Sequence, residues 1–184
     1  MNHTLDLALA ELGGVVKEID QATIDKACNM LTTAQNIVLY GCGREGLQMR
    51  GFAMRLYHLG LKSTMQGDMA TPPVGKNDLL VVSDGPGHLS TVSAFVDIAV
   101  NAGAGVLLLT AQPDAPIGHR SDLVLHIPAQ TMTRVQEDSA TSKLPMGSLY
   151  EGALFLLFEI MILRLQHLMN ESEQNMRARH TNLE

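Results

Sequence analysis

Four short runs of apolar residues, each bounded by turn-forming residues, constrain this chain more than anything else in it: NIVLYG (36–41), DLLVVSD (78–84), GVLLLT (105–110) and LVLHIP (123–128). Runs this short and this evenly apolar are strands covered on both faces. Segments with helical spacing stand between them: GLQMRGFAMRLYHLG, closed by Gly60, follows the first run, and LSTVSAFVDIAVNAG, closed by Gly103, follows the second. KSTMQ (62–66) reads as a further short strand. Repeated β-then-α units require parallel pairing with crossover helices, so the sequence predicts a doubly wound α/β fold. Two helices precede the sheet. Leu5, Leu9, Leu12, Val16 and Ile19 recur at three- and four-residue steps, and Asp20 is placed to cap a second helix running through Leu31.

After the last strand, residues 129–145 are polar and without apolar period, which predicts a long surface loop suited to a lid. PMGSLYEGALFLLFEIMILRLQHLM then makes a long helix that is apolar on nearly every side, as expected in a core or a subunit interface. Its stretch 153–163 is interrupted by Glu159 and falls short of the ~20 residues that span a bilayer, so a soluble chain with no membrane partner is expected. The N-terminus carries Asp6 and Glu11 among its apolar residues and does not read as a secretory signal. The expected organisation is a single domain over 1–184: N-terminal helices at 4–33, an α/β core at 36–128, the loop at 129–145 and C-terminal helices at 146–180.

Composition narrows the partners. With 13 Lys and Arg against 19 Asp and Glu, the net charge of −6 argues against nucleic acid and anionic membranes, leaving a small molecule or a second copy of the chain. Cys28 and Cys42 have no metal-ligand spacing and make no disulfide framework, which fits a reducing, cytoplasmic compartment.

In a doubly wound sheet, ligands bind outside the carboxyl ends of the strands. Two glycine-rich loops fall there: Gly41-Cys42-Gly43-Arg44-Glu45-Gly46 and Ser83-Asp84-Gly85-Pro86-Gly87-His88. Their glycines, Gly43, Gly85 and Gly87 among them, permit close backbone approach to a ligand. The first loop also matches a dinucleotide fingerprint, but Gly67 intervenes before Asp68 after the next strand, which argues against that cofactor. His58 suits a helix C-terminus, His126 alternates with apolar neighbours and reads as packed, and Ser90 and Thr91 open a helix as caps.

The chain resembles the 6-phospho-3-hexuloisomerases, SIS-fold enzymes of hexulose phosphate metabolism, over almost its full length. The resemblance is carried by G-x-G-R-x-G-L, FAMRLYHLG, TPPVGKNDLL, PIGHRSDLVLHIP, PMGSLYEGALFL and RARHTNLE. It implies a five-stranded parallel sheet, a homotetramer and aldose–ketose chemistry with no required cofactor. It further implies a catalytic carboxylate at Glu151 and a histidine, His180, that reaches a neighbouring subunit's site. Such chemistry needs a base for the proton α to the carbonyl and an acid for the carbonyl oxygen, joined through an enediol. Burial is expected to raise the pKa of Glu151, though a first-turn acid also suits the positive end of a helix. His180 reads equally as a solvated C-terminal residue.

The loops depart from the family. S-G-S-G-E-T is replaced by Asp84-Gly85-Pro86-Gly87-His88-Leu89, and G-R-S-G by Gly43-Arg44-Glu45-Gly46. Two acids beside a dianionic phosphate repel it, and Pro86 removes an amide donor. The expected substrate is therefore a hexose with a modified C6, such as the sulfosugar sulfoquinovose. Arg44, Arg50 or Arg55 would hold the anionic head, with Glu45, Asp84 and His88 on hydroxyls. Three other readings stand beside it: a genuine 6-phospho-3-hexuloisomerase, a noncatalytic sugar-binding module, and a site where Glu45, Asp84, His88, Glu151 and His180 converge on a divalent metal that polarises the carbonyl.

Overall fold

The apolar runs pair into one sheet, all of it parallel, in the order β2-β1-β3-β4-β5. The strands are β1 (Ile37–Gly41), β2 (Ser63–Met65), β3 (Leu79–Ser83), β4 (Gly105–Thr110) and β5 (Leu123–His126). This is the architecture of a computed structural model that describes residues 2–132 and 142–183. Register is continuous across the centre, with Leu39 opposite Val81 and Val81 opposite Leu107.

The pleat sends alternate side chains to opposite faces, and the two faces are covered unequally. Leu39, Val81, Leu107 and Leu125 point into the larger core, built with α1 (Asn2–Glu18), α2 (Gln21–Thr33), α3 (Gly43–His58), α5 (Ser148–Leu168) and α6 (Glu173–Ala178). Val38, Leu80, Val82, Val106 and Leu108 point the other way, where α4 (Ser90–Ala102) packs Val92, Val96 and Ala99 over them. Local signals behave as anticipated at several ends. Asp20 caps α2 by accepting from the Thr23 N–H at 2.9 Å, and Gly103 ends α4 at φ +77°.

Other positions differ from the sequence reading, each for a physical reason. Leu5 and Leu9 are both 60% exposed, so only the lower half of the α1 stripe meets this chain's core. His126 is exposed rather than packed, because β5 is an edge strand with a neighbour on one side only. Leu89 is the N-cap of α4 and makes no side-chain cap bond, so neither Ser90 nor Thr91 caps that helix. Asp84 instead accepts from the N–H of Leu89, just before the helix, as described below. The helix at 145–168 is long and apolar enough to cross a bilayer by length and composition, beyond what its 153–163 stretch indicated. Half of it is nevertheless buried inside the domain, where Leu154, Leu157, Met161 and Leu165 lie in the core. The lid reading rests largely on residues 133–141, which lie outside the described residues.

Strand order reverses between β1, which continues outward to β2, and β3, which continues to β4. Their carboxyl ends therefore leave a crevice between two diverging connections. The helix that flanks it is seated by glycine. A Cβ on Gly46 would lie 2.5 Å from the Gly41 carbonyl oxygen, so the first turn of α3 rests directly on the backbone end of β1. Gly46→Ala must push helix and strand apart, and we expect a loss of roughly 1–3 kcal/mol in urea denaturation. An unshifted midpoint would show that α3 is held elsewhere.

Candidate active site

The first turn of α3 projects two residues into the crevice. Cys42, its N-cap, makes no side-chain cap bond, and Gly43 takes φ +55° as the chain turns from strand to helix. Glu45 is buried. Its Oε2 accepts a short hydrogen bond from the Ser83 hydroxyl at the end of β3 and another, at 3.1 Å, from the Gly85 N–H. Ser83 Oγ lies 3.2 Å from the Tyr150 hydroxyl, which α5 brings in from the other side. The space is shared closely: a Cβ on Gly85 would lie 2.9 Å from the Tyr150 ring and 3.0 Å from Glu45 Oε1.

Arg44 turns toward the start of α5. It lies 3.2 Å from Glu151 Oε1, donates to Ser148 Oγ at 2.8 Å and also donates to the Met146 carbonyl. Glu45, Arg44, Tyr150, Glu151, Thr131 and Gly43 line a cavity of about 310 Å³, a volume that accepts a small polar metabolite. Among the described residues, Glu151 Oε2 and Thr131 Oγ1 are buried beside it without a hydrogen-bond partner.

Burial sets the charges. Desolvation pushes Glu45 from its ordinary 4.5 up to about 7; the bonds from Ser83 and Gly85 oppose the rise, and the charges of Asp84 and Glu151 add to it. Desolvation also raises Glu151, and its own backbone N–H and then Arg44 pull it back. Tyr150 is held well above 10 by its burial and the carboxyls around it, so its hydroxyl keeps its proton.

The other anticipated residues are not gathered here. Asp84 is fully buried with its carboxylate folded back into its own loop, where Oδ1 accepts from the Gly87 N–H at 2.8 Å and Oδ2 from the Leu89 N–H at 3.0 Å. It holds the loop in shape instead of addressing a ligand hydroxyl. His88 is exposed, with Nδ1 3.0 Å from the Pro86 carbonyl, and Gly87 (φ +79°) backs onto Gln112 and Ala115. Arg50 pairs with Asp68 at 3.7 Å, and Arg55 with Glu159 at 3.2 Å. Both anchors are committed elsewhere along α3.

His180 lies beside His58 at the far end of that helix, 5.3 Å between the centroids of the two tilted rings. The rise of an α-helix puts that end roughly 20 Å from Glu45. His58 is itself buried and held below its ordinary pKa by desolvation, with His180 and Arg55 adding to the effect, so it does not serve as a cation at the helix C-terminus. Among the described residues no three His, Cys, Asp or Glu side chains are placed to hold a metal ion, so the anticipated five do not converge within this chain. Ser83, Tyr150 and Thr131 escaped the sequence reading. Only the position of Ser83 at a strand's carboxyl end and of Tyr150 beside Glu151 could have signalled the first two.

An acid pair in a metabolite-sized cavity, at the reversal point of an open parallel sheet, defines a small-molecule site of a doubly wound α/β protein. Comparison with known proteins makes this specific. Residues 30–155 match the SIS domain. The 3-hexulose-6-phosphate isomerase of Mycobacterium gastri is 32% identical over 184 residues, covering 100% of this chain and 92% of the relative. That of Bacillus subtilis is 30% identical, covering 96% and 95%. The crystal structure of a Methanococcus jannaschii protein, from which a 3-hexulose-6-phosphate isomerase function was inferred, superposes with a TM-score of 0.85 at 26% identity and covers 99% of both chains. The chain belongs to the SIS domain family, and its kinship places it among that family's isomerases rather than with noncatalytic binding modules.

The raised Glu45 pKa has a consequence for stability. The folded chain holds this proton up to about 7 while the unfolded chain releases it near 4.5, so the favourable contribution is complete below 4.5 and is lost as pH rises toward 7. The loss amounts to roughly 3 kcal/mol. Glu45→Gln should remove it: the difference in Tm between variant and wild type should move in the variant's favour from pH 4.5 to 7.5. A pH-independent difference would show that Glu45 titrates normally.

Proposed function

We propose that this chain is a cytoplasmic sugar isomerase that moves a carbonyl along a six-carbon sugar through an enediol, with Glu151 as the base. The observation that carries this reading is the unpartnered Oε2 of Glu151, beside the cavity, on a carboxylate whose other oxygen is held by Arg44. One oxygen is fixed and the other is left for a proton. Burial raises the basicity of that group, and its own backbone and the Arg44 contact pull it only part of the way back.

The names of the relatives support 3-hexulose 6-phosphate as substrate. A second reading, a head of lower charge at C6 such as a sulfonate, has its own support. The amides of Gly87 and Leu89 in the second loop are already taken by Asp84, and Arg44 is already paired. A dianion calls for more donors than a monoanion does, and these are already engaged. Arg44 and the first-turn N–H groups of α3, which a helix leaves without internal partners, are the donors nearest the head.

The enzyme is also proposed to be a homo-oligomer, a tetramer by resemblance. Leu5 and Leu9 on α1, and Phe155 and Leu163 on α5, are each more than half exposed and supply an apolar surface for a second copy. In such an assembly His180 belongs to a neighbour's site.

Three measurements test this. Incubation with C6-phosphate, C6-sulfonate and unmodified hexoses, followed by NMR, should give isomerised product from 3-hexulose 6-phosphate. Preference for the sulfonate would favour the second reading, and turnover of none would refute the function. Glu151→Gln should lower kcat by about 100-fold or more while sugar affinity stays within a few-fold. Light scattering at micromolar concentration should give a multiple of the chain mass, and a monomer would contradict the assembly.

A further inference from the structure

We propose that Glu45 is the second catalytic group of this site: its carboxyl carries the proton that passes to the substrate's carbonyl oxygen while Glu151 takes the proton from carbon. The proposal rests on the isomerase reading and adds the partner that Glu151 alone lacks.

Two observations carry it. Both carboxyls line one cavity, and the charge of Glu151 bears on Glu45. Two carboxyls that share a cavity penalise each other's ionisation, so the one without a cation is the first to hold a proton. The partners then decide which is which. Arg44 sits against Glu151, whereas the groups that bond Glu45 are the neutral Ser83 hydroxyl and Gly85 N–H. Glu151 is thus the carboxylate and Glu45 the acid.

The step balances within these two side chains. Glu151 takes a proton from the carbon next to the carbonyl, and the C–H electron pair becomes the C=C bond of an enediol. The carbonyl π pair moves to oxygen, which takes the Glu45 proton. Glu45 is then a carboxylate, stabilised by the Ser83 hydroxyl and the Gly85 N–H already directed at Oε2. It next removes the proton from the other enediol hydroxyl as Glu151 returns its own to the carbon of the first carbonyl. Both groups regain their starting states. The titratable groups facing Glu45 are Asp84 beyond β3 and Tyr150 and Glu151 on α5, while Arg44 on its own helix is turned to Glu151.

The test compares wild type, Glu45→Gln and His180→Asn on 3-hexulose 6-phosphate, or on whichever sugar of the panel the wild type turns over fastest. Wild-type kcat/KM should fall as pH rises beyond about 7, where Glu45 loses its proton. Glu45→Gln preserves the hydrogen-bond acceptor, so KM should stay within about threefold while kcat falls about 100- to 10,000-fold and the alkaline limb disappears. Tyr150→Phe keeps the acid but removes the hydroxyl beside Ser83; its limb should shift while turnover persists, a readout that holds even if the Gln variant folds poorly. Wild-type kcat and limb in Glu45→Gln, or an unmoved limb in Tyr150→Phe, overturns the assignment. So does loss of the limb in His180→Asn alone. Those results leave the isomerase reading intact, whereas a wild type that turns over no sugar of the panel sinks both.

Discussion

The approach of Gly46 to the Gly41 carbonyl is the constraint on which the site depends. A parallel strand that ends and gives way at once to a helix must reverse its direction in very few residues, and here the helix begins two residues after the strand. With no side chain between them, the first turn of α3 settles at backbone contact over the crevice where strand order reverses. That contact places Arg44 and Glu45 at the cavity, and α5 packs its own first turn against them. Everything else in the site is a response to a carboxyl delivered into a buried place.

That delivery carries an electrostatic cost, and the surroundings are arranged around it. A buried glutamate with no cation holds its proton to higher pH, and the neutral donors around it favour the ionised form without cancelling the burial. The neighbouring glutamate has its cation and leans the other way. Position on two helix first turns is nearly equivalent for the two residues, so Arg44 rather than the helix ends makes the difference between them.

Much of the fold was legible because it is written in short-range periodicity. Even apolar runs gave the strands, and Asp20 and Gly103 marked helix ends through rules that act over three or four residues. The failures involve information that spacing does not carry. Whether His126 is covered depends on β5 being an edge, which is a property of strand order. Leu5 and Leu9 repeat as a core stripe does but lack a partner within the chain. At the site, the sequence named Glu45, Arg44, Gly85 and Glu151, yet it read Asp84 as facing the ligand. Whether a loop carboxylate points outward or into its own turn depends on backbone angles, not on composition. Ser83 and Tyr150 were invisible for a related reason: a serine ending a strand and a tyrosine in an apolar helix become significant only once tertiary packing brings them to the same carboxylate.

The inward turn of Asp84 bears on how the empty protein behaves. A loop built of glycines that waits for an anion to satisfy its amides is ordered by that anion, so part of the binding energy is spent in freezing it. Here the anion is a residue of the loop itself, and Gly87 and Leu89 are satisfied before any ligand arrives. The rim beside Pro86 is consequently a fixed wall. Entry of a sugar should leave this rim unchanged, and recognition on this side of the cavity is a matter of shape set during folding.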